Sequence, residues 1–207
     1  MHSKLDIPRK AIYRLSIYHR CLDKLKENGI ETVSSQALAK AAGVKPTQLR
    51  KDLAYFGQLG TRGLGYNVET VSGFIAEALG RSKFQPVILV GVGNLGTALL
   101  RYKGFNKEGF EVLGAFDIDE SSRTIDGRDM KVRCYEDMPE FVENNEVKMA
   151  ILAVPANVAQ LISNELVQAG VQAILNFSPT VLQVPDSVVV NNVDLALELE
   201  NLSYFIR

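Results

Sequence analysis

Apolar residues recur through the first third of the chain at the three- and four-residue intervals of a helix face. Ile12, Leu15, Tyr18, Leu22 and Leu25 form one such stripe, with Pro8 suited to its first turn and Asn28-Gly29 to its stop. Ser34-Ser35 offer N-cap oxygens to a short helix through Ala42, Gly43 breaks it, and Pro46 opens a third helix to about Phe56. Glycines 57, 60, 63 and 65 then predict a tight hairpin. Helical spacing returns over Val68, Val71, Ser72, Ile75, Ala78 and Leu79 and ends at Gly80. Beyond a boundary at residues 81–85, short apolar strands alternate with helices. The strands fall at 87–90, 111–116, 132–134, 148–153, 172–176 and 188–190, the helices at 95–103, 137–144, 157–169 and 194–206. That alternation predicts an α/β chain whose second part is a parallel sheet covered on both faces. Two domains are expected, 1–80 and 81–207.

Composition narrows the class. At 207 residues, with 46% hydrophobic and 23% charged residues, the chain matches soluble globular averages. The longest apolar runs, Pro86–Val92 and Val147–Val154, fall far short of the ~20 residues that span a bilayer. Residues 1–10 have no apolar core of a signal peptide. Cys21 and Cys134 stand apart with no CxxC partner, so neither a disulfide framework nor a metal site is expected, and a cytoplasmic location is. The net charge of -1 conceals +5 over residues 1–80 and −6 over the remainder, which suits an N-terminal part facing a polyanion.

The second part opens on Gly91-Val92-Gly93-Asn94-Leu95-Gly96, a GxGxxG turn between a buried strand and a helix. Gly91 permits the tight turn, Gly93 lets backbone approach a pyrophosphate, and Gly96 lets helix pack closely on strand. Free N–H groups at that helix start then face the phosphates. Glu111–Asp117 reads as the next strand, ending in an acid 21 residues after Gly96. A carboxylate there holds ribose hydroxyls and repels a 2′-phosphate, favouring NAD(H) over NADP(H). Asp119 is a weaker candidate. Val154-Pro155 ends a later strand, where ligands sit in open α/β sheets. The competing reading is a glycine turn that only joins strand to helix. Both histidines, His2 and His19, precede this part, no Tyr-x-x-x-Lys pair is present, and Cys134 lacks an activating partner. These counts argue against catalysis and for a cofactor held as a signal.

The basic part carries the texture of a helix-turn-helix over Gln36–Leu53, with Ala39 at the helix crossing, Gly43 in the turn, and Val44, Leu49 and Leu53 as anchors. Lys45, Thr47, Gln48, Arg50 and Lys51 remain available near the start of its second helix for base edges and phosphates. The glycine hairpin forms a wing carrying Thr61, Arg62, Gly63 and Tyr66, with Arg62 suited to a narrow minor groove. Asp52 is expected to pair with a nearby Lys or Arg, and Tyr55 and Phe56 to join the core. An ordinary helical subdomain with solvated charges is the alternative.

Together these features resemble the Rex family of bacterial redox-sensing transcriptional repressors, from about Ile7 to Phe205. The resemblance rests on Gln48–Gly57, Gly60–Tyr66, Gly91–Gly96, Ile174–Pro179 and Asn192–Asp194. It implies a winged-helix domain joined to a Rossmann-type domain, and a homodimer on palindromic operator DNA that NADH binding releases. It also implies a C-terminal helix, about 194–206, that crosses to the partner subunit. Leu195, Leu199, Leu202 and Phe205-Ile206 give that helix an apolar stripe, which could equally pack on its own sheet. Tyr102 and Phe177 match residues expected around the nicotinamide. Arg14 and Asp194 match a pair expected to link the DNA-binding domain to the ligand site. Two other classes stay open on the residues alone: a small NAD-dependent oxidoreductase with an accessory helical domain, and a CoA- or nucleotide-binding interaction module.

Overall fold

Helix α1 (Arg9–Glu27) begins directly after Pro8 and ends where Gly29 takes a left-handed φ of +70°. In the computed structural model its buried face is Ala11, Leu15, Tyr18, His19 and Leu22. Ile12, expected on that face, is 42% exposed. The structure describes residues 7–61, 63–81, 83–119, 122–125 and 128–206, with backbone alone for 122–125 and 128–130. The chain forms two compact units, residues 1–83 and 84–207.

In the first unit, β1 (Thr32–Val33) precedes α2 (Ser35–Ala41), whose N-cap Ser34 accepts from the Ala37 N–H at 3.1 Å. Gly43, at φ +67°, makes the turn into α3 (Pro46–Leu53), and a 3₁₀ turn continues to Phe56. The wing is β2 (Gly60–Thr61) antiparallel to β3 (Gly65–Asn67), and β3 also pairs with β1. Asn67 caps α4 (Val68–Ala78) by accepting from Thr70 N–H. Leu15, Tyr18, Leu22, Leu38, Leu49, Val71 and Ile75 meet in one core.

The second unit is a seven-stranded sheet. Its elements run β4 (Gln85–Val90), α5 (Asn94–Leu100), α6 (Gly104–Lys107), β5 (Phe110–Asp117), β6 (Ser122–Ile125) and β7 (Arg128–Cys134). They continue with α7 (Met138–Asn144), β8 (Met149–Leu152), α8 (Ala156–Gln168), β9 (Ala173–Asn176), β10 (Val189–Asn192) and α9 (Leu195–Tyr204). The order is β10-β9-β8-β4-β5-β7-β6, parallel except for the edge pair β6–β7. Read in chain order without β6, this is the 3-2-1-4-5-6 order of the Rossmann fold. Alternate residues of β4 serve opposite faces: Ile88 and Val90 pack beneath α7 and α8 with Met138, Val142 and Leu166, while Val87 and Leu89 join Leu99, Leu100 and Phe105. That is why the strand reads as an unbroken apolar run.

Among the described residues no helix is long and apolar enough to cross a membrane, and no cluster suits a metal ion. None of the residues of α9 is buried, and Leu195, Leu197, Leu199, Leu202 and Phe205 are each more than half exposed. The alternative in which this stripe packs on its own sheet is therefore set aside.

Candidate functional site

The chain reverses direction between β4 and α5 in a turn that only glycine can build. Gly91 takes φ +93°, and a Cβ on it would stand 2.4 Å from the Ala153 carbonyl oxygen. A Cβ on Gly96 would come within 1.9 Å of the Gly91 oxygen. Gly93 differs: a side chain there meets open space. Sterics of the fold thus explain two glycines and leave the third free for a ligand's approach.

That open space belongs to a cavity of about 750 Å³ at the carboxyl ends of β4 and β8, the point where the strand order reverses. Gly91, Gly93, Asn94, Leu95, Asp117, Val154, Pro155 and Phe177 all line it. Val92 and Gly96 do not; Val92 is fully buried, and Gly96 packs α5 against the turn. The Asp117 carboxylate accepts from the Val92 N–H at 2.5 Å and from the Asp119 N–H at 3.2 Å, which ties the acid to the glycine turn. Tyr102 is not brought to the cavity. Its exposed ring lies over Gly104 and makes an edge contact with Phe105, centroids 5.1 Å apart.

Sequence reasoning missed part of this wall. Ile118, Tyr135 and Leu161 also line the cavity. The Tyr135 hydroxyl donates to Glu165, and burial, then that carboxylate, pushes its pKa up to about 12. Buried Asn176 shapes the loop that carries Phe177: its Nδ2 donates to the Ser178 and Thr180 carbonyls and to Asn192 Oδ1, and its Oδ1 accepts from Ser178 N–H. An asparagine at the buried end of a strand was the available signal.

In the first unit, Lys45, Thr47, Arg50 and Lys51 stand exposed on or beside α3, while Leu49, Asp52 and Leu53 face the core. Gln48, expected at a base edge, instead donates from Nε2 to Asp52 Oδ1 at 2.8 Å. Asp52 is 1% exposed and also accepts from Arg14 Nε at 2.6 Å, Arg14 Nη2 at 2.7 Å and the Tyr18 hydroxyl at 2.8 Å. Burial alone raises such a carboxyl; here the hydrogen bonds from Arg14, Tyr18 and Gln48 outweigh it and hold Asp52 below its usual range. The pairing expected for Asp52 is thus with Arg14, which packs α1 against α3. Arg14 and Asp194, expected as a coupled pair, each have partners within their own unit: Asp194 caps α9 by accepting from Ala196 and Leu197 N–H.

On the wing, Thr61 and Gly63 are exposed, and Arg62 lies outside the described residues. Tyr66, expected to face DNA, is only 7% exposed because its ring packs into the core beneath Gly60. Half-buried Phe56 packs against that core, as expected.

A helix-turn-helix with a wing, joined to a dinucleotide-fold unit with a lined cavity at its switch point, defines a ligand-responsive transcription regulator. Residues 6–54 match a family model described as "Putative DNA-binding protein N-terminus", and residues 82–180 one described as "CoA binding domain". The "Redox-sensing transcriptional repressor Rex" of Pelotomaculum thermopropionicum is 47% identical over 97% of this chain and 94% of its own length. That of Carboxydothermus hydrogenoformans is 46% identical over 97% of both. A Rex-family repressor, RSP, solved in complex with β-NAD+ and operator DNA, superposes with a TM-score of 0.89 at 38% identity, covering 97% of this chain and 92% of that one. The same repressor with β-NADH gives 0.84 at 37% identity, covering 97% and 94%. The chain belongs to the Rex family. Its relatives are named as repressors, which sets aside the oxidoreductase and the CoA-module alternatives.

Proposed function

We infer that this chain is a redox-sensing transcriptional repressor that binds operator DNA and is released from it by NADH. The observation that carries the reading is the cavity at the switch point, with Gly93 open to a ligand and Asp117 tied to the same turn. There the first-turn N–H groups of Asn94 and Leu95 hold the pyrophosphate and Asp117 holds the adenosine ribose. Val154, Pro155 and Phe177 line the nicotinamide end.

NAD+ and NADH differ by a hydride and a positive charge on that ring. An apolar pocket disfavours the cationic ring, because desolvating it costs more. Only such unequal binding of the two forms shifts a conformational equilibrium. Moving it from 1:99 to 99:1 takes about 5.5 kcal/mol of differential affinity. The protein acts as a cytoplasmic homodimer, its separated thiols Cys21 and Cys134 suited to a reducing compartment. Helix α9, within a terminal segment of about 194–206, covers its apolar face on the partner subunit. Residues 1–80 contact a palindromic site through Lys45, Thr47, Arg50, Lys51, Thr61, Arg62 and Gly63, and residues 81–207 sense the nucleotide. Arg14 and Asp194 link the two. Operator binding titrated with NADH and with NAD+ tests the reading: NADH releases DNA and NAD+ leaves it bound, and an equal response to both refutes it.

A further inference from the structure

Two clefts of about 380 and 490 Å³ flank α3 on its wing side. Arg50, Gln58, Gly60 and Tyr66 line both, so the clefts run into one groove between helix and wing. Arg50 is turned toward it: Nη1 donates to Ser35 Oγ at 3.2 Å, and Ser35 and Thr61 line the larger cleft. The ring of Tyr66 packs into the core, and the residue lines both clefts, so the groove is where its hydroxyl meets solvent. Arg50 lies within electrostatic reach of it, because its charge opposes the rise that burial imposes on the phenol pKa. No described residue lining either cleft is acidic.

A guanidinium steadied by a serine, neutral hydroxyl donors around it and no carboxylate make a recognition set for a phosphodiester. We propose that this groove is a phosphate clamp, in which Arg50 and the Tyr66 hydroxyl grip one backbone phosphodiester of the operator. Arg50 then sets the register of the protein on the duplex and reads no base; base reading falls to Thr47 and Lys51, four residues apart on the exposed face of α3. The clamp rests on the DNA-binding reading above.

The test is fluorescence anisotropy on operator duplexes and single-base-pair variants across a KCl series. Arg50→Ala should weaken every duplex alike, on the order of tenfold, and lower the magnitude of the salt slope by about one. Tyr66→Phe keeps the ring and should weaken every duplex about threefold with the slope unchanged. A single methylphosphonate moved along the operator backbone should find one linkage whose neutralisation weakens the wild-type chain and leaves Arg50→Ala no weaker. If Arg50→Ala instead relaxes preference at one base pair, or every methylphosphonate weakens it as much as the wild type, the clamp is overturned. A wild-type chain that ignores the operator altogether overturns the DNA-binding reading first and the clamp with it.

Discussion

The turn after β4 and the wing between β2 and β3 are both built on glycine, but for different reasons at different positions. Gly91 and Gly96 are dictated by backbone atoms 2.4 and 1.9 Å from where a Cβ would stand, and Gly65 by the Val33 oxygen at 2.4 Å. Gly63 has open space around it and only a left-handed φ of +86° to justify it. Gly93 has neither, since its φ of −67° suits any residue and nothing lies within 4 Å. A glycine that the fold does not need, set in the wall of a cavity, marks where something else must come close.

Substitutions sharpen or break that contrast, beginning with the costliest. Gly96→Ala should destabilise the second unit by on the order of 4 kcal/mol, because the obstacle is backbone that cannot rotate away; chemical unfolding curves measure it. In the first unit, Asp52→Ala should cost about 3 kcal/mol by leaving Arg14 without its carboxylate. Its contribution depends on pH in a defined direction. A carboxyl held below its usual value stabilises fully above about pH 4 and loses that effect as pH falls through its folded value. Urea midpoints of the wild type and Asp52→Asn should therefore converge as pH drops toward 2. Gly63→Ala should cost about 1–2 kcal/mol, the penalty for a left-handed alanine. Gly93→Val should change stability least, by no more than about 0.5 kcal/mol, while abolishing the response to NADH and sparing operator binding. A Gly93→Val protein that melts as low as Gly96→Ala, or that still answers to NADH, would erase the distinction between the two kinds of glycine.

Much of this fold is legible in the sequence. Helix ends at Gly29, Gly43 and Gly80 and the strand–turn–helix–acid order around Gly91 are local signals, and local signals survive folding. Strand β1 was not legible, since two residues carry no period, and neither was β6, an antiparallel edge added to a parallel sheet. The site residues divide the same way. Asp117 falls at a spacing that names it. The bond between Arg14 and Asp52 joins residues 38 apart, and only packing brings such a pair together. That burial also removed Gln48 from the exposed set, because it lies one turn before Asp52 on the same face of α3. Tyr66 hid its ring for a related reason: an aromatic in a wing reads as a surface residue until β3 is known to lie between β1 and β2 over the core.

Helix α9 leaves its leucines in water in the isolated chain. If a second copy covers them, as proposed, a lone subunit is an unfinished object, and its resistance to heat becomes a property of how many copies share the tube. Melting temperature should climb with protein concentration, and dilution alone should soften a molecule whose sequence has not changed.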